Sequence, residues 1–430
     1  MMMPTMDIII YALSYIAVSI TAIVPSITNY VDLFVLAVLL YAAYKDDLVC
    51  MTPMFLFFNS TILYYNGVAI SDVLFAVFIV NEVLRRPRID KKNLHIVFLF
   101  FIIYAVVVVS DFNVMLSVEI TLIYIFVIFL LQNVYDENNW KKFTVWYLVG
   151  LFSASLYGLV SWTNNISSGV TRRFMLAFTD PNYAGMFLSI GLYIVLFSDA
   201  KNGLLKKLLL IAIVSEILIT MSSTAILCNL ILIMILMIDN LIKVIKQRSQ
   251  KISTNQLLGY AAAFAVIIAA IICIQKANNS IMADSINRFV QKITGMNAGL
   301  SESTTGRSDV WAKHLKIFEE KSGILKKLFG GFFITDRGVD PRYFTIVSHE
   351  VYVDSLLCFG VIGTMIYVLT ILKQLISKWT LRSVSNEHKQ IFCIVVIWLI
   401  YSFGLSMFPF WGFSFMLFVT IRDERSIELR

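Results

Sequence analysis

Runs of apolar residues long enough to cross a bilayer recur from one end of this chain to the other, and nothing else in it limits the fold so strongly. Crossing a hydrocarbon layer of about 30 Å takes about 20 residues of helix. Runs of this kind fall near 8–29, 30–44, 49–66, 67–84, 94–110, 113–135, 142–162, 182–199, 204–220, 223–242, 256–275, 349–372, 390–403 and 405–421. The 30–44 and 390–403 runs are short for that thickness. The pattern therefore predicts an all-α polytopic membrane protein with 12–14 transmembrane helices. Charged residues are only 15% of the chain, against about 25% in soluble domains. The first run has neither a basic leader nor a small-residue cleavage site, which predicts a retained span.

Lysine and arginine set the orientation. With the N-terminus in the cytoplasm, 22 of the 35 basic residues fall in cytoplasmic segments, including the Arg85–Lys92 stretch, Lys141 and Lys142, the Lys243–Lys251 stretch, and Arg382. The short outer turns near 29, 66, 112, 222 and 404 carry none. This positive-inside asymmetry predicts that both termini are cytoplasmic. The net charge of +7 is thereby accounted for, and nucleic acid is not an expected partner. The predicted organisation is helices 1–11 in residues 1–275, an extracytoplasmic loop at 276–348, and helices 12–14 with a cytoplasmic tail in 349–430.

That loop is the second informative feature. Connections of this length are usually functional or disordered, and helical patterning argues for order. Ser308–Glu320 places Trp311, Leu315 and Phe318 at i, i+4, i+7, with Ser308 as a candidate cap. A weaker helical stretch runs from Ile281 to Val290, and Gly330, Gly331 and Gly338 punctuate the later part. Eleven basic residues against seven acids suit an anionic headgroup or a diphosphate. Arginine binds phosphate in two-pronged fashion better than lysine, which selects Arg288, Arg307, Arg337 and Arg342. An ordinary solvated basic surface is the plainer reading of the lysines.

A shorter outer segment, Thr171–Asn182, reads TRRFMLAFTDPN. Pro181 suits a helix start and Asp180 its N-cap. Phosphate binding and snorkelling to the interface are the two readings of Arg172 and Arg173. Five carboxylates (Asp32, Asp72, Glu119, Glu216 and Asp354) fall in the outer halves of spans. Acids there are costly and point to a polar cavity or to structural pairing. The five cysteines lie in or beside apolar runs, with no disulfide or metal spacing. No metal and no cofactor is expected.

Three patches together resemble the O-antigen polymerase and O-antigen ligase superfamily of membrane glycosyltransferases. They are Arg173 followed by Asp180-Pro181-Asn182; Thr305-Gly306-Arg307 with Trp311 and Leu328-Phe329-Gly330-Gly331-Phe332; and Ser348-His349-Glu350-Val351-Tyr352 followed by Phe359-Gly360-Val361-Ile362-Gly363. They cover residues 170–363. Two positions depart from the family pattern. Glu350 stands where Asn is usual, and the turn Met221-Ser222-Ser223-Thr224 lacks the arginine many members carry.

The resemblance implies a bacterial cytoplasmic (inner) membrane enzyme, multi-pass and metal-independent. It would polymerise undecaprenyl-diphosphate-linked repeat units on the outer face. Its partners would be lipid-linked donor and acceptor, membrane lipid and a chain-length regulator. On this expectation Arg173, Arg288 and Arg307 hold the diphosphate, and His349 or Glu350 is the base. Arg172, Asp180, Asn182 and Asp354 support the site. A ligase passing glycan to lipid A–core or protein is the alternative within the family. A flippase or transporter is the alternative outside it.

Overall fold

A computed structural model describes residues 4–45, 47–58, 64–65, 68–69, 134–135, 137–167, 173–178, 180–199, 203–220, 222–246, 307–332, 334–335, 338–339, 343–344, 348, 350–405 and 420–421. It is mostly helical. In chain order the helices are α1 (Thr5–Thr21), α2 (Thr28–Lys45), α3 (Thr52–Phe58), α4 (Glu137–Ser167), α5 (Pro181–Leu196), α6 (Gly203–Ile219), α7 (Ser223–Lys246), α8 (Arg307–Lys321), α9 (Ile324–Phe329), α10 (Val351–Leu381) and α11 (Asn386–Ser402). Strand structure among the described residues is limited to two-residue pairings, such as Ile334–Thr335 with Gly338–Val339.

Nine of the apolar runs carry a described helix, and the short strand pairs at 64–65, 68–69, 134–135 and 420–421 are the described exceptions within apolar runs. The expected 8–29 run is shorter than the sequence suggested. Its helix ends at Thr21, and Pro25 opens a 3₁₀ turn, Pro25–Ile27, that leads into α2. Proline lacks an N–H and fits a helix start better than an interior. The runs at 94–110 and 256–275, and most of those at 67–84, 113–135 and 405–421, lie outside the described residues.

Among the described residues two helices are long and apolar enough to cross a membrane, Pro25–Lys45 and Asn138–Asn164. A third is α10, if its halves Val351–Met365 and Tyr367–Leu381, bent by 65°, form one span. Apolar side chains also face outward, among them Leu40, Phe152, Ile211 and Ile376, each 60–64% exposed. In water so much outward apolar surface would drive association; it suits a membrane protein.

The interior is aromatic. All seven residues of α3 are buried, and Phe57 packs on Tyr147 of α4 (5.1 Å) and Phe187 of α5 (5.3 Å). Polar groups link the helices. The Trp140 indole N–H donates to Gln390 Oε1 at 2.8 Å, and Gln390 Nε2 donates to the Ile194 carbonyl at 2.9 Å. One side chain thus ties α4, α5 and α11. Such bonds contribute roughly 0.6–2 kcal/mol each between membrane helices.

α10 is also interrupted earlier, inside its first half. Gly360 leaves helical geometry at φ 65°, and the segment after α9 fills the gap. Gly331 N and Phe332 N donate to the Leu357 carbonyl at 3.2 and 3.1 Å, and Gly331 N also approaches the Cys358 carbonyl at 3.1 Å. The glycine-bearing loop patch is therefore built into the broken helix.

Candidate functional site

Two sets of polar contacts lie at opposite ends of the helices. One set joins Lys142 to Asp47 (2.8 Å), Lys141 to Glu387 (3.8 Å), Asn386 Nδ2 to Asp199 (2.6 Å) and Arg382 to Asp239. Each pair links two segments that the charge count assigned to the cytoplasm. In the other set, Arg307 and Tyr352 contact the C-terminal end of α11 directly, Asp180 acts on Arg307, and Asn182 and Arg173 bond the neighbouring Ser222 and Thr220.

The DPN element behaves as the sequence predicts. Asp180 is the N-cap of α5 and accepts from Asn182 N at 2.7 Å, with Pro181 at the first helical position. Asn182 then reaches across to another helix start, where its Oδ1 accepts from Ser222 Oγ at 2.8 Å. Ser222 Oγ in turn accepts from Ala225 N at 3.2 Å, capping α7. The serine turn without an arginine thus serves as a clamp between two helix N-termini. Two residues away, the Thr220 carbonyl accepts from Arg173 Nε at 3.3 Å. Ser222→Ala is expected to cost about 1 kcal/mol, read as a lowered thermal midpoint in detergent. Ser222→Thr keeps the hydroxyl and should restore most of it.

Arg307 opens α8 and extends to the end of α11, where Nη1 donates to the Gly404 carbonyl at 2.6 Å. Burial lowers its pKa, while the negative charge of Asp180 opposes that fall. A guanidinium keeps its charge under such a shift. Arg307 is therefore a partly desolvated cation facing Asp180, with one nitrogen fixed by backbone.

Glu350 sits where the chain enters α10. The helix begins at Val351, so Glu350 lies just outside it as the N-cap, its Oε2 accepting from Val353 N. Ser348 holds it from behind: Ser348 Oγ accepts from Glu350 N at 2.9 Å and donates to its carbonyl at 2.8 Å. The Ser348 carbonyl accepts from the Trp311 indole N–H of α8 at 2.9 Å. Burial pushes the Glu350 carboxyl up to about 7, opposed by the bonds from Val353 N and Tyr352 N. A carboxyl of that pKa is matched to proton transfer near neutral pH. One turn on, Asp354 is fully buried. Tyr352 Oη lies 3.1 Å from Ser402 Oγ, and its ring packs on Phe403 at 5.0 Å, which joins the Glu350 region to the end of α11.

Some expectations need correction. Ser308 does not cap α8, because the helix starts one residue earlier and puts Ser308 in its first turn. The buried face of α8 is His314 and Phe318, with His314 stacked on Phe344 at 4.8 Å, whereas Leu315 is 41% exposed. Trp311 is spent on a hydrogen bond rather than on an apolar stripe. Among the five membrane acids, Glu216 has a structural partner, accepting from Ser155 Oγ at 2.7 Å. Arg172, Arg288, Arg337, Arg342, His349, Asp72 and Glu119 lie outside the described residues. Tyr352, Ser222 and Gly404 were not anticipated as parts of the site. For Tyr352 the signal was present, an aromatic hydroxyl two residues past the His-Glu pair.

Among the described residues no cluster of histidine, cysteine, aspartate and glutamate fit for a metal occurs. No protein-family model, curated protein or solved structure matches the chain.

Proposed function

We propose that this chain is a glycosyltransferase of the bacterial cytoplasmic membrane. It would join undecaprenyl-diphosphate-linked repeat units on the outer face, with 12–14 spans and both termini in the cytoplasm. One observation carries the reading: a partly desolvated arginine bonds the end of α11, and a buried carboxyl of near-neutral pKa lies two residues from Tyr352, which contacts Ser402 at that same end. The sorting of ion pairs to the opposite end supports the orientation.

The chemistry follows from those two groups. The acceptor hydroxyl oxygen attacks the anomeric carbon of the donor, and the bond from that carbon to the phosphate oxygen breaks. Undecaprenyl diphosphate leaves with the bonding electrons. Arg307, with Arg173 and Arg288, would stabilise the developing charge on the diphosphate. Glu350 or His349 would take the hydroxyl proton. Asp180, Asn182, Arg172 and Asp354 would hold these groups in place.

Purified protein given a defined lipid-linked repeat unit tests this. Products of two or more repeats, with release of undecaprenyl diphosphate, are the expected result. Arg307→Ala is expected to lower the rate by about 10²-fold or more, the size seen for single donors to a developing anion. Arg307→Lys should recover only part. Glycan passed to a lipid A–core or protein acceptor without chain growth would mark a ligase.

The break in α10 is the one observation that favours a transporter, since discontinuous helices often form transport sites. Here the Leu357 carbonyl freed at the break already accepts from Gly331 and Phe332, so the protein itself occupies the gap. Translocation of lipid-linked glycan in proteoliposomes without bond formation would reverse the choice.

A further inference from the structure

Helix α9 has its side chains arranged the wrong way round for a segment in water. Ile324 is 77% exposed, Leu325 60% and Leu328 38%, while the flanking Lys326 and Lys327 are each half-buried. The Lys326 ammonium is folded back over the Phe332 ring at 5.3 Å. A short surface helix in water presents its lysines and buries its leucines. This one does the reverse.

Its position gives the reason. The chain just after α9 bonds to the Leu357 carbonyl, six residues beyond the start of α10 at Val351. At 1.5 Å per residue that is about 9 Å along the helix, well inside a hydrocarbon core of about 30 Å. On α10 itself Val361, Met365 and Leu369 face outward, 42–60% exposed. The apolar face of α9 thus borders a helix whose own outward side chains are apolar over the next two turns.

We propose that α9 is a dipping element of the outer loop. It enters the outer leaflet beside the broken α10 and presents Ile324, Leu325 and Leu328 to lipid acyl chains. The inference rests on the membrane orientation proposed above and revises the view of residues 276–348 as wholly outside the bilayer. The glycines then have a purpose. Gly330 and Gly360 let backbone meet backbone at membrane depth, so the chain can turn back toward the surface with its polar groups satisfied by protein, as irregular backbone in a bilayer requires.

Full-length Leu325→Cys, labelled with bimane and reconstituted in phosphatidylethanolamine/phosphatidylglycerol vesicles, tests the proposal. Lys313→Cys on α8 is the comparison site, and the parent chain labelled in parallel gives the background. The Leu325 label is expected to be quenched several-fold more by doxyl-labelled lipid than the Lys313 label, and several-fold less by aqueous iodide. Strong iodide quenching, or protection from both quenchers because a second copy or another protein covers the face, would overturn it. Impermeant maleimide on intact cells reads the side of the membrane separately through Lys313→Cys. Labelling only from the cytoplasmic side would defeat the orientation, and the lipid contact with it. Loss of glycan transfer alone would leave both standing.

Discussion

Gly360→Ala is expected to destabilise the fold by on the order of 4–7 kcal/mol, enough to remove most folded protein from a detergent extract. Three costs combine. A residue with a side chain at φ 65° pays about 1–2 kcal/mol for the left-handed backbone. A Cβ there would lie 2.4 Å from the Leu328 carbonyl carbon and 2.5 Å from Gly330 N. Both are backbone atoms, so nothing flexible can move aside, and overpacking adds about 1–3 kcal/mol. Pushing the segment away also breaks the bonds from Gly331 N and Phe332 N, at about 1 kcal/mol or more each when the groups stay buried. Gly330→Ala should behave alike, since its Cβ would sit 2.2 Å from the Cys358 carbonyl oxygen. Gly203→Ala is the control, with nothing within 4 Å of the added atom, and should match the parent. Thermal unfolding followed by fluorescence-detected size exclusion measures all three. A Gly360→Ala variant with the parent's midpoint would mean that the loop is not docked in the break.

The elements that sequence reveals well are those whose cause is local. Apolar runs predicted the helices because burying backbone polar groups in lipid leaves few other solutions. Asp180-Pro181-Asn182 marked a helix start because capping and the proline ring act within three residues. What could not be read depends on partners distant in the chain. Ser222 looked like a missing arginine until Asn182 lay opposite it. Trp311 fitted an apolar stripe, yet its indole N–H needed an acceptor and found one 37 residues away at Ser348. The meeting of Gly330 with Gly360 was also hidden. A glycine records only that space is short, not what fills it.

Glu350→Gln separates the two roles open to Glu350, helix cap and proton acceptor. The amide oxygen can still accept from Val353 N, so the cap survives while the titration is removed. Burial raises the carboxyl from 4.5 to about 7 in the folded chain, so between those values the folded state holds a proton that the unfolded state has lost. Stability contributed by Glu350 therefore falls as pH rises from about 4.5 and is fully lost above about 7, a change of roughly 3 kcal/mol. Gln cannot ionise and escapes that penalty. The variant is expected to match the parent near pH 4.5 and to exceed it at pH 8, measured as thermal midpoints across that range. Activity should move the other way. If Glu350 accepts the hydroxyl proton, the rate of glycan transfer falls by about 10²–10⁴-fold, and the inflection near pH 7 disappears from the profile. A more stable but inactive protein is an outcome that a purely capping role cannot produce. A more stable and fully active one would assign the proton to His349 and leave Glu350 as the cap that places it.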